Sequence, residues 1–252
     1  MIPEGWDLSG KRALITADDR GWTPFLASGL AEAGADVAVA GDLSSGVVQA
    51  AEEVRKQGKK ALEFVGDLAD LSQIQTIVHE VNKSWGGLDI LVNGAQTQLN
   101  KPLLDVTESE WDILMSLNVR TLFLLCREVG AQMLHQGHGR IVNIISGLAQ
   151  RGLINSVPYC ASQGAALQLT RSLALEWARG GVRVNAIAAG WLDTEDLSLN
   201  KPTEDLLARF LPLRRLGHPK DLAPLVVYLA SDACDFVTGT VVSVDGGAMA
   251  HG

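Results

Sequence analysis

The chain has 252 residues, 47% of them apolar, and 21 basic against 29 acidic side chains give a formal net charge of −8. That length and composition suit one α/β domain with a substantial core, and the acidic balance argues against a nucleic-acid backbone or an anionic membrane as partner. Cys126, Cys160 and Cys234 are isolated, with no CxxC and no metal-ligand spacing, so neither a disulfide framework nor a metal centre is expected and a reducing, cytoplasmic setting fits.

The first residues, Met1 to Asp7, combine no basic segment with an apolar one, so no secretory signal is expected there. No run in the chain approaches the ~20 apolar residues of a membrane span. Arg12–Thr16 then reads as a buried strand. Phe25, Leu26, Leu30 and Ala33 mark a helix that stops at Gly34, with Thr23-Pro24 as its N-cap and first helical residue. Val37–Ala40, Leu88–Val92, Ile141–Ile145, Val182–Ala186 and Val241–Val244 read as further strands. Ile74–Trp85, Trp111–Met133 and Ala165–Ala178 read as helices between them. This alternation predicts a single domain over residues 1–252, a doubly wound, Rossmann-like α/β fold with a mostly parallel sheet. Residues 193–212 are expected to form a substrate loop carrying a short helix, Glu204–Phe210.

Two hydroxyls and an amide stand out along this frame. Ser146 closes the run Gly139-Arg140-Ile141-Val142-Asn143-Ile144-Ile145-Ser146, Tyr159 follows in Tyr159-Cys160-Ala161-Ser162-Gln163, and Asn118 precedes Val119. With the ending Thr238-Gly239 and Val244-Asp245-Gly246-Gly247, this order resembles the short-chain dehydrogenase/reductase family from Leu8 to Gly247. The resemblance implies a seven-stranded sheet and catalytic roles for Ser146, Tyr159 and Asn118. It also implies dimers or tetramers built through helices and the C-terminal segment 235–252. Where that family carries lysine in Tyr-x-x-x-Lys, this chain has Gln163. Free tyrosine ionises near pH ~10, and one positive charge at about 4 Å is worth at most about 4 kcal/mol at an effective dielectric of 20. Glutamine can donate a hydrogen bond but supplies no such charge.

The expected cofactor turn departs further. The family pattern Thr-Gly-x-x-x-Gly-x-Gly reads here Thr16-Ala17-Asp18-Asp19-Arg20-Gly21-Trp22-Thr23, so only Gly21 keeps its place. Glycines let the backbone approach a pyrophosphate, and Asp18 and Asp19 bring carboxylates toward a dianion. Asn93-Gly94-Ala95-Gln96 stands for Asn-Asn-Ala-Gly, and Gly41 occupies the place of a ribose-binding acid, with Asp42 next to it. The resemblance implies that Gly21, Asp67, Asn93 and Thr194 are remnants of cofactor contacts.

Because the changes gather on the cofactor and its lysine, the expectation from sequence is an inactive, pseudoenzyme subunit. It would bind no cofactor itself and would assemble into a heterotetramer with an active, NAD-using paralogue of an alcohol or 3-hydroxyacyl-CoA dehydrogenase type. Degradation of aromatic compounds is one context for such a pair. Self-assembly into a tetramer is the other arrangement. Two alternatives stand beside it. One is an NAD(P)-dependent oxidoreductase, a 3-oxoacyl reductase or alcohol dehydrogenase, using Ser146 and Tyr159. The other is a cofactor-independent enzyme like a halohydrin dehalogenase. No metal, nucleic acid or membrane is expected in any of them.

Overall fold

The computed structural model describes residues 5–17, 20–42, 44–193 and 201–250. Seven strands are laid down in chain order: β1 (Arg12–Thr16), β2 (Asp36–Gly41), β3 (Ala61–Val65), β4 (Ile90–Asn93), β5 (Gly139–Ser146), β6 (Val182–Ala189) and β7 (Val241–Val244). Between them run α1 (Thr23–Glu32), α2 (Ser44–Lys56), α3 (Leu71–Trp85), α4 (Glu108–Met115), α5 (Thr121–Gln136), α6 (Val157–Trp177), α7 (Lys201–Phe210) and α8 (Ala223–Ala230). The sheet order is β3-β2-β1-β4-β5-β6-β7, and every pairing is parallel.

Strand pleating divides the core into two layers. Leu14 and Ala38 face one side with Ile74, Val81, Leu125 and Ala166. Ile15 and Val39 face the other, with Leu26, Leu30, Val47 and Val226. The helices start and stop on local chemistry. Asp70 caps α3 by accepting from the Ser72 N–H at 2.8 Å, and Gly86 ends it in the left-handed region. Thr107 and Glu110 form a reciprocal capping box at α4.

Several expected elements shift. The long helix expected over Trp111–Met133 is interrupted: α4 ends at Met115, Ser116–Arg120 forms a π-helical turn, and α5 follows. The N-cap of α1 is Trp22, not Thr23, and it makes no side-chain cap. Helix α6 begins at Val157, eight residues before the expected Ala165, which places Tyr159 in its first turn. Helix α7 begins at Lys201 and covers the expected Glu204–Phe210. Strand β3 was not expected as a separate strand; its Glu63 and Val65 are exposed, which hides the apolar pattern. No helix among the described residues is long and apolar enough to cross a membrane.

Candidate active site

The order of strands reverses direction between β1 and β4, and a doubly wound sheet opens a crevice at the carboxyl ends of strands at such a point. The turn after β1 leads into α1 there. Gly21 holds φ +76° with nothing within 4 Å of where a Cβ would sit, so its need is conformational. Across the crevice, a Cβ on Gly94 would come within 2.8 Å of the Thr16 carbonyl oxygen. The Thr16 hydroxyl accepts from the Gly94 and Ala95 N–H groups at 3.0 and 3.1 Å. Glycine at 94 therefore keeps the ends of β1 and β4 in close contact.

Beyond this edge lies a cavity of about 280 Å³, whose wall includes Ser146, Tyr159, Arg20, Gln96 and Arg151. Ser146 ends β5, and its hydroxyl accepts from the Leu148 N–H at 3.2 Å, which leaves its own proton free to donate. Tyr159 is buried, 3% exposed. Its hydroxyl donates to Gln96 Oε1 at 3.0 Å and accepts from Arg20 Nη2 at 3.3 Å. The Arg20 guanidinium lies 5.6 Å from the Tyr159 ring centre and 5.2 Å from that of Trp22. With the Gln98 amide turned to satisfy its neighbours, its oxygen accepts from both terminal nitrogens of Arg20, at 2.9 and 2.8 Å.

Gln163 does not point at Tyr159. Its buried Oε1 accepts from the backbone N–H of Ser146 at 2.8 Å, tying α6 to the end of β5. Asn118, in the π-helical turn, is equally structural in its contacts. Its amide oxygen accepts from the Thr97 N–H at 2.8 Å, and its nitrogen donates to the Thr97 carbonyl and the Ser162 hydroxyl at 2.9 and 3.0 Å. Ser146 and Tyr159 thus share one cavity, while Asn118 and Gln163 brace the backbone around it.

The expected cofactor residues divide. Gly21 is in the turn. Asp67 is exposed after β3 and accepts from the Ala69 N–H at 2.8 Å, so it shapes a turn at the outer end of the crevice. Asn93 is buried and donates to Asn143 Oδ1 at 2.8 Å, a strand-to-strand tie across the core. Asp42 is exposed just past β2. Thr194, Asp18 and Asp19 lie outside the described residues. Arg20, which the turn pattern does not single out, meets Tyr159, Gln98 and Trp22 among the described residues. Burial pushes the Cys126 thiol up to about 12, which makes it an inert core residue.

A family model for enoyl-(acyl carrier protein) reductases matches residues 16–249. The chain is 37% identical to 2-dehydro-3-deoxy-D-gluconate 5-dehydrogenase of Dickeya dadantii (strain 3937), over the full length of both. It is 36% identical to gluconate 5-dehydrogenase of Gluconobacter oxydans (strain 621H), with 97% of each chain covered. The chain belongs to the short-chain dehydrogenase/reductase family. Among solved structures, the gluconate 5-dehydrogenase of Burkholderia cenocepacia J2315, in complex with NADP and tartrate, superposes with a TM-score of 0.92 at 34% identity, with 99% of each chain covered.

These relatives overturn the expectation of an inactive subunit that carries no cofactor and depends on an active paralogue. Full-length short-chain dehydrogenases/reductases of this similarity carry dehydrogenase names, and one holds NADP. The cation missing at position 163 is present beside the Tyr159 hydroxyl as Arg20, and the crevice at the carboxyl ends of β1 and β4 remains. A dinucleotide fits the residues that line this crevice. Gly21 gives the turn its left-handed bend, Asp42 and Asp67 stand at the outer end of the crevice, and Tyr159 and Ser146 stand at the inner end.

Proposed function

We propose that the chain is an NAD(P)-dependent oxidoreductase that interconverts a secondary alcohol and a ketone on a small polyhydroxylated acid. The observation that carries this reading is the Tyr159 hydroxyl, buried in a cavity wall shared with Ser146 and faced by the Arg20 guanidinium. The names of the relatives, which point to gluconate and deoxygluconate derivatives, supply the substrate class.

The bound nicotinamide supplies or accepts the hydride. The chain handles the proton and the substrate oxygen. Tyr159 donates to the Gln96 carbonyl oxygen, and a substrate carbonyl oxygen takes that acceptor's place. Ser146, whose oxygen is engaged by Leu148, directs its proton to the same substrate oxygen. When a ketone is reduced, the Tyr159 proton goes to the forming alkoxide, and the negative charge left on the phenol oxygen faces Arg20. In the direction of oxidation, the same oxygen takes the proton back. Arg20, from the cofactor turn, thereby does what a lysine four residues after the tyrosine would do.

Assembly belongs to the same reading. Ile113 and Phe123, on α4 and α5, and Leu175, on α6, are exposed apolar residues that a second copy of the chain would cover.

The test is oxidation of NADPH and NADH with 5-keto-gluconate, and the reverse reaction with D-gluconate. Tyr159→Phe should lower kcat by about 100-fold or more, the usual scale for removing a general acid/base, with the cofactor dissociation constant unchanged. A wild-type chain that binds neither dinucleotide, or a Tyr159→Phe variant with wild-type kcat, would sink the proposal.

A further inference from the structure

Arg151 is a second cation in the cavity, and the chemistry above does not use it. It follows the short 3₁₀ turn Gly147–Ala149 beyond Ser146. Its guanidinium lies 5.5 Å from the ring centre of Trp191, just past β6, and 5.8 Å from that of Phe210, at the end of α7. The two rings meet edge to face, 5.7 Å apart at 88°. Three separate elements therefore converge to hold one planar cation against aromatic faces.

Among the described residues, that cation lacks an anionic partner. Its Nε is buried and has no hydrogen-bond partner. Among the described residues, no carboxylate forms an ion pair with it. Among the described residues, the charged groups in the cavity wall are Arg20, Arg151 and Asp245. Arg20 is turned to Tyr159 and Gln98. Asp245 spends one oxygen on the Gly247 N–H and the other on the Met249 N–H, both at 2.9 Å. A buried donor without a partner is costly, and a guanidinium held flat and unpaired presents a fork that matches a carboxylate with two parallel hydrogen bonds.

We propose that Arg151 binds the carboxylate of the substrate and so selects a hydroxy or keto acid over the neutral polyol of the same length. The carboxylate satisfies the free Nε and neutralises the cavity charge, while the reacting carbon, elsewhere on the chain of the acid, lies at Tyr159 and Ser146. This inference rests on the oxidoreductase reading for the identity of the acid but not for its test.

The test measures binding without turnover. Potassium D-gluconate and D-glucitol, equal in carbon number and differing at the carboxylate, are titrated into the intact protein by calorimetry. Quenching of the Trp191 indole serves as a second signal. Arg151→Gln should weaken gluconate binding by about 10- to 100-fold, the scale for losing a hydrogen bond to a charged group, and the preference for gluconate over glucitol should collapse. Arg151→Lys, which keeps the charge and loses the fork, should fall between. Cofactor affinity and the melting temperature, read in parallel, establish that each variant is folded. Unchanged gluconate binding in Arg151→Gln overturns the assignment, as does an equal loss for gluconate and glucitol, or a wild-type chain that does not bind gluconate. If gluconate binds through Arg151 and no dinucleotide oxidation follows, the oxidoreductase reading fails and the carboxylate site stands.

Discussion

Replacing Arg20 by glutamine removes the cation that faces the Tyr159 hydroxyl and leaves a side chain able to donate a hydrogen bond. The contact is 3.3 Å long. A full negative charge on the phenol oxygen at that distance would interact with the guanidinium by about 5 kcal/mol at an effective dielectric of 20. Arg20 is only half-buried, and solvent screening of such a pair leaves about 1 to 3 kcal/mol. If that stabilisation exists only when the proton has moved, it acts on the barrier, and Arg20→Gln slows turnover by about 5- to 150-fold. The assay is steady-state kcat at saturating cofactor and gluconate, with the cofactor dissociation constant measured separately because Arg20 also sits in the turn after β1. Arg20→Lys should recover part of the loss. The double variant Arg20→Gln/Tyr159→Phe should be no slower than Tyr159→Phe alone, because both act on one proton transfer. Wild-type kcat in Arg20→Gln would refute the reasoning, and a faster variant would show that Arg20 obstructs the site.

Gln163→Lys is expected to damage the site, not restore it. The Ser146 N–H loses its acceptor at 2.8 Å, at a cost of about 1 to 3 kcal/mol. Gln163→Glu keeps the acceptor, and thermal melting of the two variants separates these effects. A second prediction concerns acid stability. Burial pushes the Asp89 carboxyl up, but hydrogen bonds from Arg12 and His138 outweigh it and hold the group below the usual carboxylate range. Its contribution is fully present above the unfolded value near pH ~4 and is lost as pH falls through the lower folded value. Asp89→Asn should therefore flatten the fall of denaturant midpoint with pH in that acid window, while lowering stability at pH 7. An unchanged acid limb would show that the Arg12–Asp89 pair carries no pH dependence. Finally, native mass spectrometry of the purified chain should show a homo-oligomer, and a monomer would leave Ile113, Phe123 and Leu175 without a covering surface.

The fold was legible because both layers of the sheet leave their mark on short apolar runs separated by helical patterns. Strand β3 was missed because Glu63 and Val65 face solvent, so that strand does not read as a buried run. The π-helical turn at Ser116–Arg120 was invisible for a different reason: the helical apolar rhythm continues on both sides, through Leu114 and Leu122. Ser146 and Tyr159 were singled out through the family resemblance that their motifs carry, and they line one cavity. Arg151 was not singled out, because the aromatic rings that make it a site come from two other elements, Trp191 and Phe210.

Arg20 explains why the absence of a lysine misled. A residue-by-residue comparison asks whether position 163 carries charge, whereas the phenol oxygen responds to any cation near it, whatever segment supplies it. Tyr159 and Arg20 are 139 residues apart in sequence and joined by one hydrogen bond. Moving the cation from α6 to the turn after β1 has a mechanical consequence. A lysine on the same helix as the tyrosine is fixed by that helix. An arginine on the turn after β1 is placed by the conformation of that turn. Freed of the cation's task, position 163 carries an amide that fixes the Ser146 backbone instead. If dinucleotide phosphates bind at this turn, as the proposed function has it, occupancy of the turn and proton transfer at Tyr159 are linked through a single side chain.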